Sequence, residues 1–97
     1  MNALDILVDE FPGEEAWLSF VEVFKPAWEN LMDKDHFVHE IGDEDIAIVL
    51  SARMGDDAIT WVRKPIEALD QKSVLQILAA GSFGETAVKN LIMRMPI

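Results

Sequence analysis

"ALDQKSVLQILAAGSFGETAVKNLIMRM", residues 68–95, decides how the whole chain is read. It holds two helix-start signals, one helix-stop glycine and only two acids, Asp70 and Glu85. Ser73 followed by Gln76 has the spacing of a capping box. In that arrangement a hydroxyl accepts from an otherwise orphaned amide and the amide side chain answers in return. Val74, Ile77 and Leu78 then lie on one face, and Gly81 is placed to stop the helix. Ser82 with Glu85 repeats the box. Val88, Leu91, Ile92 and Met95 follow at i, i+3, i+4 and i+7, the stripe by which a helix buries one side. The stretch therefore predicts two consecutive helices joined at Gly81.

The same period runs backwards through the chain. Leu4, Leu7, Val8 and Phe11 predict a short first helix, ended by Pro12 and Gly13. Trp17, Phe20, Val21 and Phe24 carry the spacing, and Trp28 and Leu31 continue it. Pro26 falls inside that phase, where it removes one backbone donor and crowds the preceding turn. Because the apolar phase survives it, one kinked helix is expected over about residues 13–32. Helix initiation at Pro26 is the alternative. Residues 33–42, "DKDHFVHEIG", are expected to be irregular or one short turn. Asp43 is placed to cap a helix with Ile46, Val49 and Leu50 inside and Gly55 at its end. "IAIVL" (46–50) suits a buried strand as well, but no second strand candidate offers it a partner. Asp56 or Asp57 then caps a short helix bearing Ala58, Trp61 and Val62, with Pro65 beyond it. The expected fold is all-α: one domain over 1–97, a small bundle of five to six helices.

Composition agrees. The 97 residues are 51% hydrophobic and 27% charged, which suits one globular core rather than a disordered chain. Cysteine is absent, so disulfides, thiolate metal sites and thiol nucleophiles are excluded. No apolar run is long enough for a membrane span, and the N-terminus carries acids where a secretion signal carries lysines. A cytoplasmic setting is expected.

Charge is placed unevenly. Residues 1–50 hold thirteen acids against Lys25 and Lys34, a net −11, while residues 51–97 hold five acids and six bases, a net +1. A phosphate backbone must be neutralised by Lys and Arg, so direct nucleic-acid binding is not expected. The acidic half reads first as a solvated face and second as a surface complementary to a basic partner.

Catalytic signatures are missing. His36 and His39 stand three apart near Asp33, Asp35 and Glu40, but zinc sites need three or four protein ligands and HExxH does not occur. Asp33, Asp35 and Glu44 have the ends of a calcium loop, yet Phe37 takes a ligand position and Val38 the place of the required glycine. "GSFGET" lacks the lysine of a phosphate loop, and helix stop and turn account for Gly81 and Gly84. Ser51, Ser73 and Ser82 have no nucleophile-elbow context. Neither an enzyme nor a cofactor or metal is expected. Trp17 and Trp28 sit on an apolar stripe that serves a core, a partner helix or a second copy.

With these motifs in place, residues of about 54–95 resemble the toxin-binding domain of Xre/MbcA/ParS-type antitoxins. That family pairs with RES-type toxins, which deplete or use NAD. Its pattern is a short helix ending in Trp-Leu, a proline, Ala-Leu-Gly-Gly, a capped helix ending in Leu-Leu-Ala, and a last helix ending in an arginine-containing segment. Trp61 and Val62 stand in the Trp-Leu place, Pro65 follows, and Ala68 and Leu69 match Ala-Leu. Ser73 matches the cap, Ile77, Leu78 and Ala79 match Leu-Leu-Ala, and Val88, Leu91, Ile92 and Arg94 match the last helix. Asp70 and Gln71 replace the Gly-Gly, and Val74 a common proline. The resemblance implies a compact three-helix C-terminal module, a protein partner of RES type, and a partner-binding end at Arg94, Met95, Pro96 and Ile97. Many relatives carry a DNA-binding unit in front, but the −11 front half does not support carrying that over. A self-associating or adaptor domain with the same fold, including a homodimer, is the alternative.

Overall fold

The computed structural model describes residues 3–95. It holds seven α-helices and one 3-10 turn among those residues. They are α1 (Ala3–Asp9), α2 (Glu14–Glu29), α3 (Lys34–Ile41), α4 (Glu44–Met54), α5 (Asp57–Trp61), α6 (Val74–Leu78) and α7 (Ser82–Arg94), with the 3-10 turn Glu67–Leu69 before α6. The only β pairing among the described residues is an isolated antiparallel bridge between Ile66 and Lys72. No helix there is long and apolar enough to cross a membrane.

α4 is the centre. Ile46, Ala47, Ile48, Val49 and Leu50 are all buried in succession, because α2, α3 and α5 pack around it. A helix covered on every side shows no amphipathic stripe, which is why "IAIVL" could be mistaken for a strand. Asp43 begins α4 as expected, its carboxylate accepting from the Ile46 amide at 3.0 Å. Gly55 ends it at φ 60°, ψ −140°, backbone that side chains resist.

Pro26 lies inside α2 without ending it. The carbonyl that loses its donor belongs to Glu22, an exposed residue on the outer face. Beyond the last turn the Asn30 side chain donates to the Pro26 carbonyl at 3.1 Å. Residues 30–32, assigned by periodicity to this helix, lie past its end.

Residues 34–41 are a full helix rather than an irregular segment or one turn. Phe37 and Ile41 are buried four residues apart against α4. Gly42 closes α3 in the left-handed region at φ 89°, its amide reaching the Val38 carbonyl at 2.7 Å. No side chain caps the start of α3, so its only strong local signal is the glycine after it.

The two sequence halves interlock. α1 packs on α7 and on the 3-10 turn, and α6 also packs on α7. Asn90, buried on α7, donates to the Leu7 carbonyl at 2.7 Å and so closes the end of α1. Ion pairs between Glu10 and Arg94, Glu14 and Lys89, and Glu40 and Arg63 cross from the acidic half to the other. Half of the six bases in residues 51–97 therefore serve as clasps for first-half acids.

The two capping boxes have different outcomes. Ser73 and Gln76 make both reciprocal bonds, at 3.1 and 2.8 Å. Ser82 makes none. α7 starts from the Gly81 carbonyl, which receives the Glu85 amide at 2.9 Å, so Ser82 is already the first helical residue. Its own carbonyl is taken by the Thr86 hydroxyl, and Glu85 turns to Lys89 at 3.0 Å. The Asp56–Asp57 start of α5 likewise carries no side-chain cap bond. Gly84 is no turn residue either. It is buried in the first turn of α7, where an added Cβ would stand 1.8 Å from the Ile77 carbonyl oxygen. Only glycine permits α6 and α7 to approach so closely.

Candidate functional site

Of the residues singled out by the sequence, Arg94 and Met95 lie at the end of α7. Arg94 is half exposed and pairs with Glu10, itself half exposed, beyond the end of α1. Met95 is half-buried and stands just past α7, its amide on the Ile92 carbonyl at 3.3 Å. Pro96 and Ile97 lie outside the described residues.

Sequence reasoning missed the residue that organises this end. A helix C-terminus leaves carbonyls without intrahelical donors and carries partial negative charge. Arg53, from the last turn of α4, supplies both donors and charge. Its Nη1 donates to the Ile92 carbonyl at 2.9 Å and its Nη2 to the Met95 carbonyl at 2.6 Å. The dipole role available to Arg94 is thus met by Arg53, 39 residues earlier than Ile92, and Arg94 is turned outward. Nothing local marks Arg53 for this contact, since its partners are backbone atoms distant in sequence.

Arg53 also forms one wall of an open groove. Asp57, Thr60, Trp61 and Lys64 line it from α5 and the turn that follows, and Met54 completes it, enclosing about 560 Å³. These four residues fall at i, i+3, i+4 and i+7, a single face of one turn-rich segment. The opposite face, Ala58 and Val62, is fully buried. Val62 is held further by its carbonyl, which accepts from the Leu75 amide at 3.1 Å. Trp61 is the most exposed of the three tryptophans, because Trp17 and Trp28 belong to the core. Lys64 is exposed and forms no ion pair among the described residues. Arg53 therefore joins the groove and the end of α7 into one continuous surface.

A second polar cluster is centred on a buried lysine. The Lys89 side chain is only 9% exposed; its Nζ lies 2.6 Å from Glu14 and 3.0 Å from Glu85. It also stands 5.7 Å from the centre of the Trp17 ring, a cation–π distance. Burial pushes the Lys89 ammonium down, but its hydrogen bonds to Glu14 and Glu85 outweigh this and hold it above the usual lysine value. The Asp45 carboxyl is pushed up, first by burial and then by the neighbouring Asp43 charge, with Lys89 opposing. The Trp17 indole N–H, fully buried, meets no acceptor. This cluster clamps α2 to α7.

His36 and His39 stand on α3, where His36 meets the edge of Phe37. Among the described residues, no group of three or more His, Cys, Asp or Glu side chains converges in a way that could hold a metal ion.

Comparison of the chain with protein-family models, curated proteins and solved structures finds no match.

Proposed function

We propose that this chain is a non-enzymatic, antitoxin-like docking domain. It acts in the cytoplasm, binds a RES-type toxin through the end of α7 and the adjoining Trp61 groove, and does not itself bind DNA. The observation that carries this reading is the backbone at Asp70 and Gln71. Both residues adopt positive φ, 55° and 66°. Those are the positions where the family pattern has Gly-Gly, and left-handed backbone costs an ordinary residue about 1–2 kcal/mol. Two consecutive residues in that region make a backbone that a Gly-Gly pair would suit.

The neighbouring positions support the same register. Trp61 faces the groove while Val62 is buried. Leu69, Ile77, Val88 and Ile92 are in the core, and the Ser73 cap is made.

Co-expression tests the reading. A toxin-like reading frame beside the gene is expressed alone and with this chain, and cell growth and NAD content are followed. Growth arrest with NAD loss, relieved by this chain, is expected. Undiminished NAD loss in the presence of folded chain would overturn the proposal.

A self-associating domain is the second reading, and α2 favours it. Leu18 and Val23 on that helix are 49% and 71% exposed, and Met32 just beyond it is 97% exposed. Sedimentation showing a concentration-dependent dimer that Leu18→Glu abolishes would favour this reading over the first.

A further inference from the structure

The groove between the ends of α4 and α5 has chemistry of its own. Around Trp61 and Met54 stand two cations, Arg53 and Lys64, one hydroxyl, Thr60, and one acid, Asp57. Elsewhere the chain is strongly acidic, at −10 overall. Half of the six cations of the second half are already committed to carboxylates. Arg63, Lys89 and Arg94 are paired with carboxylates. Lys64 is not paired among the described residues, and it stands beside an accessible indole. A guanidinium carries five N–H donors, and Arg53 gives two of them to Ile92 and Met95. Three remain, on a group already fixed in place, so little further ordering opposes a new bond.

We propose that this groove receives a segment of the protein partner that carries one carboxylate beside an aliphatic side chain. The carboxylate sits between Lys64 and the free edge of Arg53, with the Thr60 hydroxyl in reach of the same group. The aliphatic side chain lies on Trp61 and Met54. The groove is partly open to solvent, which suits a segment laid across it better than an enclosed small molecule. A single carboxylate is required rather than an acidic run. The net charge of the chain repels a polyanion, whereas one charge in contact with two cations gains locally, since screening removes more distant charges beyond about 8 Å. Asp57 sets the same limit, because a second carboxylate would meet it. This inference rests on the docking reading above and names what the partner presents.

The test uses the full chain and three synthetic peptides: N-acetyl-Leu-Asp-amide, its Leu-Asn counterpart and its Leu-Lys counterpart. Binding is read from the Trp61 indole signal and the Thr60 and Lys64 amide signals by NMR. Leu-Asp is expected to shift these signals saturably and to bind at least about threefold tighter than Leu-Asn, the scale of an exposed charge pair. Lys64→Gln should erase that preference, and Asp57→Asn should strengthen it. Equal binding of Leu-Asp and Leu-Asn, tighter binding of Leu-Lys, or no saturation up to about 10 mM, a barely specific affinity, overturns the proposal. Toxin association of Lys64→Gln is measured alongside. Unchanged toxin affinity removes the groove from the interface while leaving the docking function intact. Selective Leu-Asp binding in a chain that never associates with the toxin leaves the groove's chemistry standing and removes the antitoxin reading.

Discussion

Replacing Gly84 with alanine should be among the most damaging single-methyl changes in this chain. The new Cβ would lie 1.8 Å from the Ile77 carbonyl oxygen and 2.8 Å from its carbon, where real contacts do not fall below 3.0 Å. The obstacle is the backbone of α6, so no side-chain rotation relieves it. α7 must withdraw from α6 by at least about 1.2 Å, the gap between that approach and that floor. α7 carries Ala87, Val88 and Ile92 in the core, and they must move with it. Overpacking of this kind costs about 3 kcal/mol at the upper end of its usual range. Alanine gains about 1 kcal/mol over glycine within a helix. The net loss is therefore about 2 kcal/mol. For a domain of this size that corresponds to a fall in Tm of about 8–16 °C. Thermal and urea unfolding followed by circular dichroism measure it. At a helix position with open space the same change would raise Tm, so an unchanged or higher Tm would refute the close α6–α7 crossing.

Ser73→Ala should lower stability by about 1 kcal/mol by breaking the capping box. Ser82→Ala, which the sequence pattern also marked as a cap, should change stability by less than about 0.5 kcal/mol, as surface substitutions usually do; urea unfolding of the pair ranks the two. Gln71→Gly should raise stability by about 0.5 kcal/mol, because relief of left-handed backbone exceeds the added entropy of the unfolded chain, and a fall in the urea midpoint would contradict it. Asp45→Asn should stabilise at pH 7 and lose that gain in acid. The Asp45 carboxyl has a raised pKa in the fold, so the folded state holds its proton more tightly than the unfolded chain does. Its ionisation penalises the fold as pH rises through the folded value, and the penalty is absent below the unfolded one. Unfolding free energies of both proteins across pH 3 to 7 check the direction.

The all-helical character was legible because its signals are local. Apolar spacing of 3.6 residues, the Asp43 cap, the Ser73–Gln76 box and the stop at Gly55 each act within a few residues, whereas α6 ends at Leu78 with Ala79 as its cap and Gly81 instead begins α7. α3 was missed because its start has no cap and only Phe37, Val38 and Ile41 mark a face. The Ser82–Glu85 box was misread because the right spacing does not fix where a helix begins. Gly81 supplies the first carbonyl, and the nearby Lys89 claims Glu85. Gly84 looked like a turn because the close approach of Ile77 depends on how two helices cross.

The candidate site was legible only in part. Arg94 stands at the predicted end, but its pairing with Glu10 lies 84 residues back along the chain. Arg53 and the Lys64 side of the groove depend wholly on tertiary contacts. A hydrogen bond from a side chain to a distant carbonyl leaves no pattern in a single sequence. The uneven charge has a structural explanation as well, since first-half carboxylates reach across to Arg63, Lys89 and Arg94.

The central claim is that the end of α7 and the groove bound to it through Arg53 form a protein-docking surface. Calorimetric titration of the full chain into the product of a toxin-like reading frame beside its gene tests this, with Arg94→Ala run in parallel. Arg94 and Glu10 are both half exposed, so losing their pair should cost the fold no more than about 1 kcal/mol, and circular dichroism should show the variant folded. Saturable association is expected for the native chain, with an affinity weaker by about 1 kcal/mol or more for Arg94→Ala, the scale of an interface residue that matters. Absence of association by the folded native chain, or an affinity that Arg94→Ala leaves unchanged, would contradict it.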